Sequence, residues 1–343
     1  MFKKRSTKPV VIIKFGALGD VVRTSYFVEP LAAKHAADIV WITSSGSKDL
    51  LRFNYHVTNV VCPPLDKIPN EASVVISLDD EYEAARIASS IRCDTLIGSF
   101  IDEGGQIKYS ENASLWFDMG LISKHGKERA DKFKQLNRMS HAEIFGSILG
   151  ISRIRPAFYG NPLIEQVWKT RRGLNRVIIG LNPFAGRRWP SKEMPSIELA
   201  TLIQNICDHL ESETAGAFKI WVFVDNDTAE KANMLNANFD KVEIWNTGSG
   251  IHQFAAAISV CNYVISTDSL GLHLAIAQNV PNLSFFAPTS ADEIDTFGNG
   301  VKVKSTSSDY CNYNPYADNS TLTAKVVFDR WVTHFCSVVD ARV

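Results

Sequence analysis

Apolar and polar positions along this chain run through the same plan twice. In the first round, apolar runs at 10–15, 39–43, 57–61, 74–78 and 95–98 are short, β-branched and nearly unbroken. Strands of that kind are buried on both faces, which calls for a parallel sheet covered by helices. The spacing predicts helices over 21–35 and 81–91. From 109 to 150 the pattern becomes helical and polar, and 153–161, with Pro156 and Gly160 ahead of Pro162, reads as a linker. The second round predicts strands at 177–181, 219–224, 242–245, 263–266 and 283–286. Helices are expected at 196–210, 229–237, 251–259 and 270–278, and a last one at 324–338. The expected fold class is α/β, with two Rossmann-like domains (1–165 and 166–322) facing a cleft. The last helix, within 323–343, could pack back on the first domain.

Composition narrows this further. The 343 residues suffice for two α/β cores, and 45% hydrophobic with 21% charged residues is ordinary for a globular protein. A formal net charge of −1 gives no global field toward nucleic acid or membrane, so local patches must carry any such role. Cys62, Cys93, Cys207, Cys261, Cys311 and Cys336 are scattered without a C-x-x-C pair. That fits reduced thiols in a cytoplasmic protein, and neither a disulfide framework nor a zinc ribbon. Lys3, Lys4 and Arg5 precede an apolar run that is too short and lacks a cleavage site, so it reads as the first strand. No stretch approaches the roughly 20 apolar residues of a spanning helix; membrane contact would be peripheral.

Three turns carry candidate chemistry. At Ser266-Thr267-Asp268-Ser269-Leu270-Gly271-Leu272-His273 an apolar strand stops at a small polar turn and a helix begins at once. Unpaired N–H groups at such a helix N-terminus suit a phosphate, with His273 in the first helical turn. The opening strand runs likewise into Gly16-Ala17-Leu18-Gly19-Asp20, whose glycines permit a tight turn and close approach to a ligand. Asp20 is either a reactive carboxylate or a helix N-cap contributing about 1 kcal/mol. In the third turn, Asn182-Pro183-Phe184-Ala185-Gly186 leads into Arg187-Arg188-Trp189-Pro190. Two arginines leaving a strand's C-terminal end could neutralise a diphosphate with planar, bidentate donors, and Trp189 argues for an anchored loop.

Together these turns resemble the family 9 glycosyltransferases, the heptosyltransferases of lipopolysaccharide core assembly and their relatives. The resemblance rests on G-x-x-G-D-x-x-x-T from Gly16 to Thr24, a basic pair with Trp-Pro from Arg187 to Pro190, and D-[ST]-x-x-x-H-x-A from Asp268 to Ala275. P-x-[LIV]-x-[LF]-[FY]-[GA]-P-T from Pro281 to Thr289 follows. Three departures mark a divergent branch: arginine where the family often has lysine at 187, Leu270 with the glycine one place later at Gly271, and Ala287 before Pro-Thr.

The resemblance implies a GT-B fold and inverting, metal-independent transfer of a sugar, with no cofactor. The donor would be a nucleoside-diphosphate sugar, ADP-heptose first, and the acceptor a glycan or glycolipid. Asp20 would be the general base. Arg187, Arg188, Asn182, Asp268, Ser269, Leu270, Gly271 and His273 would meet the donor. Of two acids after the second strand of this half, Asp225 and Asp227, one would hold the ribose. Gly16, Gly19 and Thr24 would lie on the acceptor side, with Lys124 and Lys127 from a basic stretch over 121–144. That stretch reads equally as a solvated helix face. Asp79-Asp80 reads as a strand-end turn whose acids favour the next helix's dipole. Two readings compete with this one: the same fold serving another donor or a capsule, protein or natural-product acceptor, and a nucleotide-sugar-binding protein without turnover.

Overall fold

The computed structural model describes residues 6–173, 177–186, 188–236 and 239–339. The chain divides into two compact units between Tyr159 and Gly160.

The first unit comprises β1 (Val10–Ile13), α1 (Leu18–Ser25), α2 (Val28–His35), β2 (Ile39–Ile42), β3 (Asn59–Val61), β4 (Glu71–Ser77) and α3 (Tyr82–Ser90). β5 (Arg92–Ile101), β6 (Ile107–Tyr109), α4 (Ser114–Phe117), α5 (Ile122–His125), α6 (Lys127–Leu136) and α7 (His141–Leu149) complete it. The sheet order is β3-β2-β1-β4-β5-β6, parallel except for β6, which pairs antiparallel with β5. Val11, Ile13, Val40, Ile42 and Val75 of the central strands pack on Ala84, Ile87 and Ala88 of α3. The single helix expected over 21–35 is two. Pro30 has no N–H for the carbonyl of Tyr26 and its ring would clash there, so the helix breaks at Tyr26-Phe27 and restarts with Pro30 in its first turn.

The second unit comprises α8 (Pro162–Arg172), β7 (Val177–Asn182), α9 (Ser196–Thr214), β8 (Phe218–Val224), α10 (Ala229–Asn236) and β9 (Val242–Asn246). After these come α11 (Ile251–Ser259), β10 (Tyr263–Thr267), α12 (Leu270–Ala277), β11 (Asn282–Phe286), β12 (Gly300–Lys304) and α13 (Ala324–Val339). Its wholly parallel sheet is ordered β12-β11-β10-β7-β8-β9. Read from the first strand of each unit, the two orders are the same doubly wound topology. Helix α8 was not foreseen, although Asn161 caps it through Leu163 N–H at 3.0 Å and Pro162 takes its first position. Helix α13 packs on its own unit: Val327 and Trp331 are fully buried in that core, and the Tyr263 hydroxyl lies 2.6 Å from His334 Nδ1. Among the described residues no helix is long and apolar enough to cross a membrane.

Candidate active site

Each sheet reverses its strand order beside its first strand, between β1 and β4 and between β7 and β10. In open α/β sheets ligands bind outside the carboxyl ends of the strands at that point. The sequence-predicted turns fall there in both units.

In the first unit Lys14 follows β1 and Asp79 follows β4. Lys14 Nζ is paired with Asp79 Oδ1, and Phe15 N–H donates to Asp79 Oδ2 at 2.9 Å. The two side chains are only 9% and 7% exposed. Burial alone would lower the lysine's pKa, but the carboxylates of Asp79 and Asp20 more than offset that and raise it. The pair therefore clips the ends of β1 and β4 together. Beneath it, Ser99 Oγ donates to Asp79 O at 2.6 Å. Gly98, at φ +125°, lets β5 approach so closely that a Cβ would lie 1.9 Å from Ser77 O. Asp79 is thus a buried ion-pair partner and not an acid of the next helix, whose first turn carries Glu83.

Asp20 is the third residue of α1, and the N-cap is Ala17, which has no side chain to offer. The Asp20 carboxylate receives Arg23 Nη2 at 2.5 Å on Oδ1 and lies 3.7 Å from Lys14 Nζ on Oδ2, while remaining 31% exposed. It is oriented by two cations yet open to solvent. A Cβ at Gly16 would meet nothing within 4 Å, so the space beside the turn is open. Gly19 and Thr24 are buried on the inner face of α1, where they pack. Lys124 is paired with Asp118, and Lys127 with Asp131 at 2.6 Å, both within the α4–α6 stretch.

In the second unit Asn182 ends β7 and Asp268 follows β10. Asn182 Nδ2 donates to Ser266 Oγ at 2.9 Å and Ser269 Oγ at 2.7 Å, so this buried amide braces the turn from below. A Cβ on Gly271 would lie 2.5 Å from Asn182 Nδ2, which explains a glycine one place after Leu270. Ser269 is the N-cap of α12, but its hydroxyl does not cap the helix. Leu272 N–H donates to the Ser269 carbonyl at 3.1 Å, which leaves the N–H groups of Leu270 and Gly271 at the helix start for an acceptor from elsewhere.

Asp268 is held from several sides. Lys192 Nζ donates to Oδ2 at 2.8 Å and to the Asp268 carbonyl at 2.9 Å, and Thr289 Oγ1 donates to Oδ2 at 2.7 Å. His273 Nε2, on a buried ring, lies 3.9 Å from Oδ1. Burial opposes ionisation, but Lys192, His273 and the Thr289 hydrogen bond outweigh it and bring the carboxyl down to about 2. Asp268 is therefore a fixed strut of the turn. Arg188 is exposed on the loop after β7, its guanidinium 6.0 Å from the half-buried ring of Trp189, with Lys192 Nζ 5.5 Å from the same ring. Arg187 lies outside the described residues.

The two acids after β8 have separate fates. Asp225 Oδ1 accepts from the N–H groups of Asp227 (3.1 Å) and Thr228 (2.9 Å), closing the turn into α10. Asp227 is exposed on that turn. A strap over 310–316 backs the strand-end loops. Ser191 N–H donates to Pro315 O (3.1 Å), Cys311 N–H to Ala287 O (2.9 Å) and Tyr313 N–H to Pro288 O (2.8 Å). Among the described residues no group of three or more His, Cys, Asp and Glu is arranged to hold a metal ion.

Sequence reasoning missed Lys14 and Lys192, and it read Asp79 as a helix-dipole acid where the structure makes it a buried brace. Strand for strand, β4 corresponds to β10 and β1 to β7. Asp79 is therefore the counterpart of Asp268, each clamped by a lysine from the connection after the first strand. Asp20 has its counterpart in the loop that carries Arg188.

Residues 159–320 match the family Glycosyltransferase family 9 (heptosyltransferase). Over nearly its whole length the chain is similar to a solved glycosyl transferase family 9 protein from Veillonella parvula DSM 2008. That match has 16% identity and a TM-score of 0.73, covering 98% of this chain and 99% of that one. It is similar also to the E. coli ADP-heptose lps heptosyltransferase II (13% identity, TM-score 0.63, covering 96% of this chain and 99% of that one). E. coli heptosyltransferase WaaC, solved with ADP, has 17% identity and a TM-score of 0.59, covering 96% of this chain and 100% of that one. At such identities the structural likeness speaks for the fold. No curated protein sequence matches the chain. The second unit is thus a glycosyltransferase family 9 domain, in a divergent chain of GT-B architecture. Glycosyl transfer is the class of chemistry that the domain and fold support.

Proposed function

We propose that this protein is an inverting glycosyltransferase that moves a sugar from a nucleoside diphosphate to a hydroxyl of a glycan or glycolipid. The observation that carries the reading is the charge each strand-end site leaves toward solvent: a partly exposed carboxylate, Asp20, in the first unit, and in the second an uncapped helix α12 with Arg188 on the neighbouring loop. Asp20 takes the proton of the acceptor hydroxyl as its oxygen attacks the anomeric carbon. That carbon–oxygen bond forms as the bond to the diphosphate oxygen breaks, and the leaving group keeps the electron pair. The α12 N–H groups and the arginine loop stabilise the new charge. Lys14 and Arg23 orient the Asp20 carboxylate. Asp268 and Asn182 hold the α12 turn without touching the substrate, and Asp227 is the candidate ribose acceptor.

ADP-heptose is the first donor to try, because the related E. coli proteins carry ADP-heptose in one name and bound ADP in another. A thermal-shift series with ADP-, GDP-, UDP- and CDP-linked sugars tests this. Stabilisation by ADP compounds alone supports the reading, stabilisation by another base moves the donor, and no shift with any of them removes donor binding from the second unit.

A further inference from the structure

The stretch from 121 to 138 carries six basic residues (Lys124, Lys127, Arg129, Lys132, Lys134 and Arg138) against Glu128 and Asp131, in a chain whose net charge is −1. The turn between α5 and α6 opens a cavity of about 470 Å³ lined by His125, Gly126, Lys127, Glu128, Arg129 and Lys132. At its floor the His125 side chain is nine-tenths buried, with Nε2 3.7 Å from Asp118 Oδ1. The other face of α6 is seated, since Ala130 is fully buried and a Cβ on Gly120 would lie 2.8 Å from Ala130 O. Outward, Arg129, Lys132 and Leu136 fall on one helical stripe at spacings of three and four. Leu136 is 72% exposed, and Ile122 on α5 is 45% exposed. Lys132 pairs with Glu128 four residues away on the helix surface (2.8 Å), and such an exposed pair re-partners readily, whereas Lys127 pairs with the mostly buried Asp131 (2.6 Å).

Cations alone would suit any polyanion. Here exposed aliphatic side chains stand among them, beside a cavity with room for a phosphate headgroup. That combination fits an anionic bilayer better than nucleic acid or an acidic protein, because only lipid offers phosphate and hydrocarbon a few ångströms apart. We propose that the α5–α6 face docks on an anionic lipid surface, with a headgroup phosphate in the cavity bounded by Lys127, Arg129 and Lys132, and Leu136 at the acyl boundary. This goes beyond the transfer chemistry and does not depend on it.

Co-sedimentation of the full chain with vesicles tests the proposal without a donor or acceptor. Binding should be weak to phosphatidylcholine, rise when phosphatidylglycerol is added, and fall with sodium chloride. Charge reversal by Arg129→Glu with Lys132→Glu should cut partitioning at least about tenfold, since each basic residue near an anionic surface is worth roughly fivefold. Leu136→Ser should remove the fraction that survives high salt. Lys325→Glu, an equally exposed charge reversal on α13, should change nothing, and unaltered circular dichroism melts would show that the variants fold. Equal vesicle binding by wild type and the double variant would overturn the proposal. So would binding of inorganic phosphate without binding of vesicles, which leaves a small-anion site only.

Discussion

The two strand-end sites share one frame and differ in what it presents. In both units an aspartate after the fourth strand is clamped by a lysine from the connection after the first: Asp79 by Lys14, Asp268 by Lys192. In the first unit that connection adds a second acid, Asp20, held between Lys14 and Arg23 but left 31% exposed. In the second it adds Arg188 on an exposed loop, and Thr289 joins the clamp on Asp268. A repeated fold thus keeps its brace and exchanges the sign of the group beside it. One site presents a partly exposed carboxylate and the other an exposed guanidinium.

The largest expected effect is at the group that differs. Asp20→Asn should lower transfer by on the order of 10²–10⁴, the usual worth of general acid–base catalysis, while donor affinity measured by calorimetry stays near wild type. Near wild-type turnover would make Asp20 another brace and erase the contrast.

Next come the shared braces. Asp268→Asn leaves Lys192 buried without its counter-charge and should destabilise the second unit by about 3–5 kcal/mol in urea unfolding. The pH dependence has a definite sign. A carboxyl held at about 2 in the fold contributes stability above its ordinary value near 3.8, and that contribution is lost as pH falls from about 4 to 2. The variant's unfolding midpoint should lose that acid-side slope. If it keeps the full slope, Asp268 is not the group responsible.

A smaller effect separates the two turns sterically. Gly271→Ala drives a methyl into the Asn182 amide and should cost about 1–3 kcal/mol. Gly16→Ala meets no neighbour and should leave the thermal midpoint almost unmoved. Equal destabilisation would mean that the first turn is as tightly packed as the second.

The smallest expected effect is none. With arginines and a helix N-terminus as countercharge, transfer should persist in excess EDTA once a working donor–acceptor pair is found. Loss on chelation with recovery on magnesium or manganese would send the search for ligands to Asp79 and Asp80.

Much of this frame was legible in the chain. The β-branched runs marked ten strands, because strands buried on both faces carry almost no polar residues. The helices at 82–90, 251–259 and 270–277 followed from their apolar spacing. The edge strands β6 and β12, short and half-exposed, gave no such run. The braces were hidden for a different reason. Lys192 meets Asp268 across 76 positions and Lys14 meets Asp79 across 65, and no local pattern encodes which lysine a buried acid will find. Once the strand order is known, the Lys14–Asp79 pair follows, since it joins the ends of neighbouring strands, whereas Lys192 reaches Asp268 from well along the connection after β7. That Asp268 corresponds to Asp79, and Asp20 to the loop carrying Arg188, is likewise a fact of topology that motif spacing does not contain.

Helix α13 sets the order in which the protein can be made. Trp331 and Phe335 complete the core of the second unit, stacked 4.8 Å apart beneath Tyr263. The first unit has its whole sheet by Tyr109, so it can close while the rest of the chain is still being synthesised. The second cannot complete its core until α13, which packs on α9, β11 and β12, has left the ribosome. During vectorial synthesis, then, the second unit is the late one to close, and the first can already be folded on the same nascent chain.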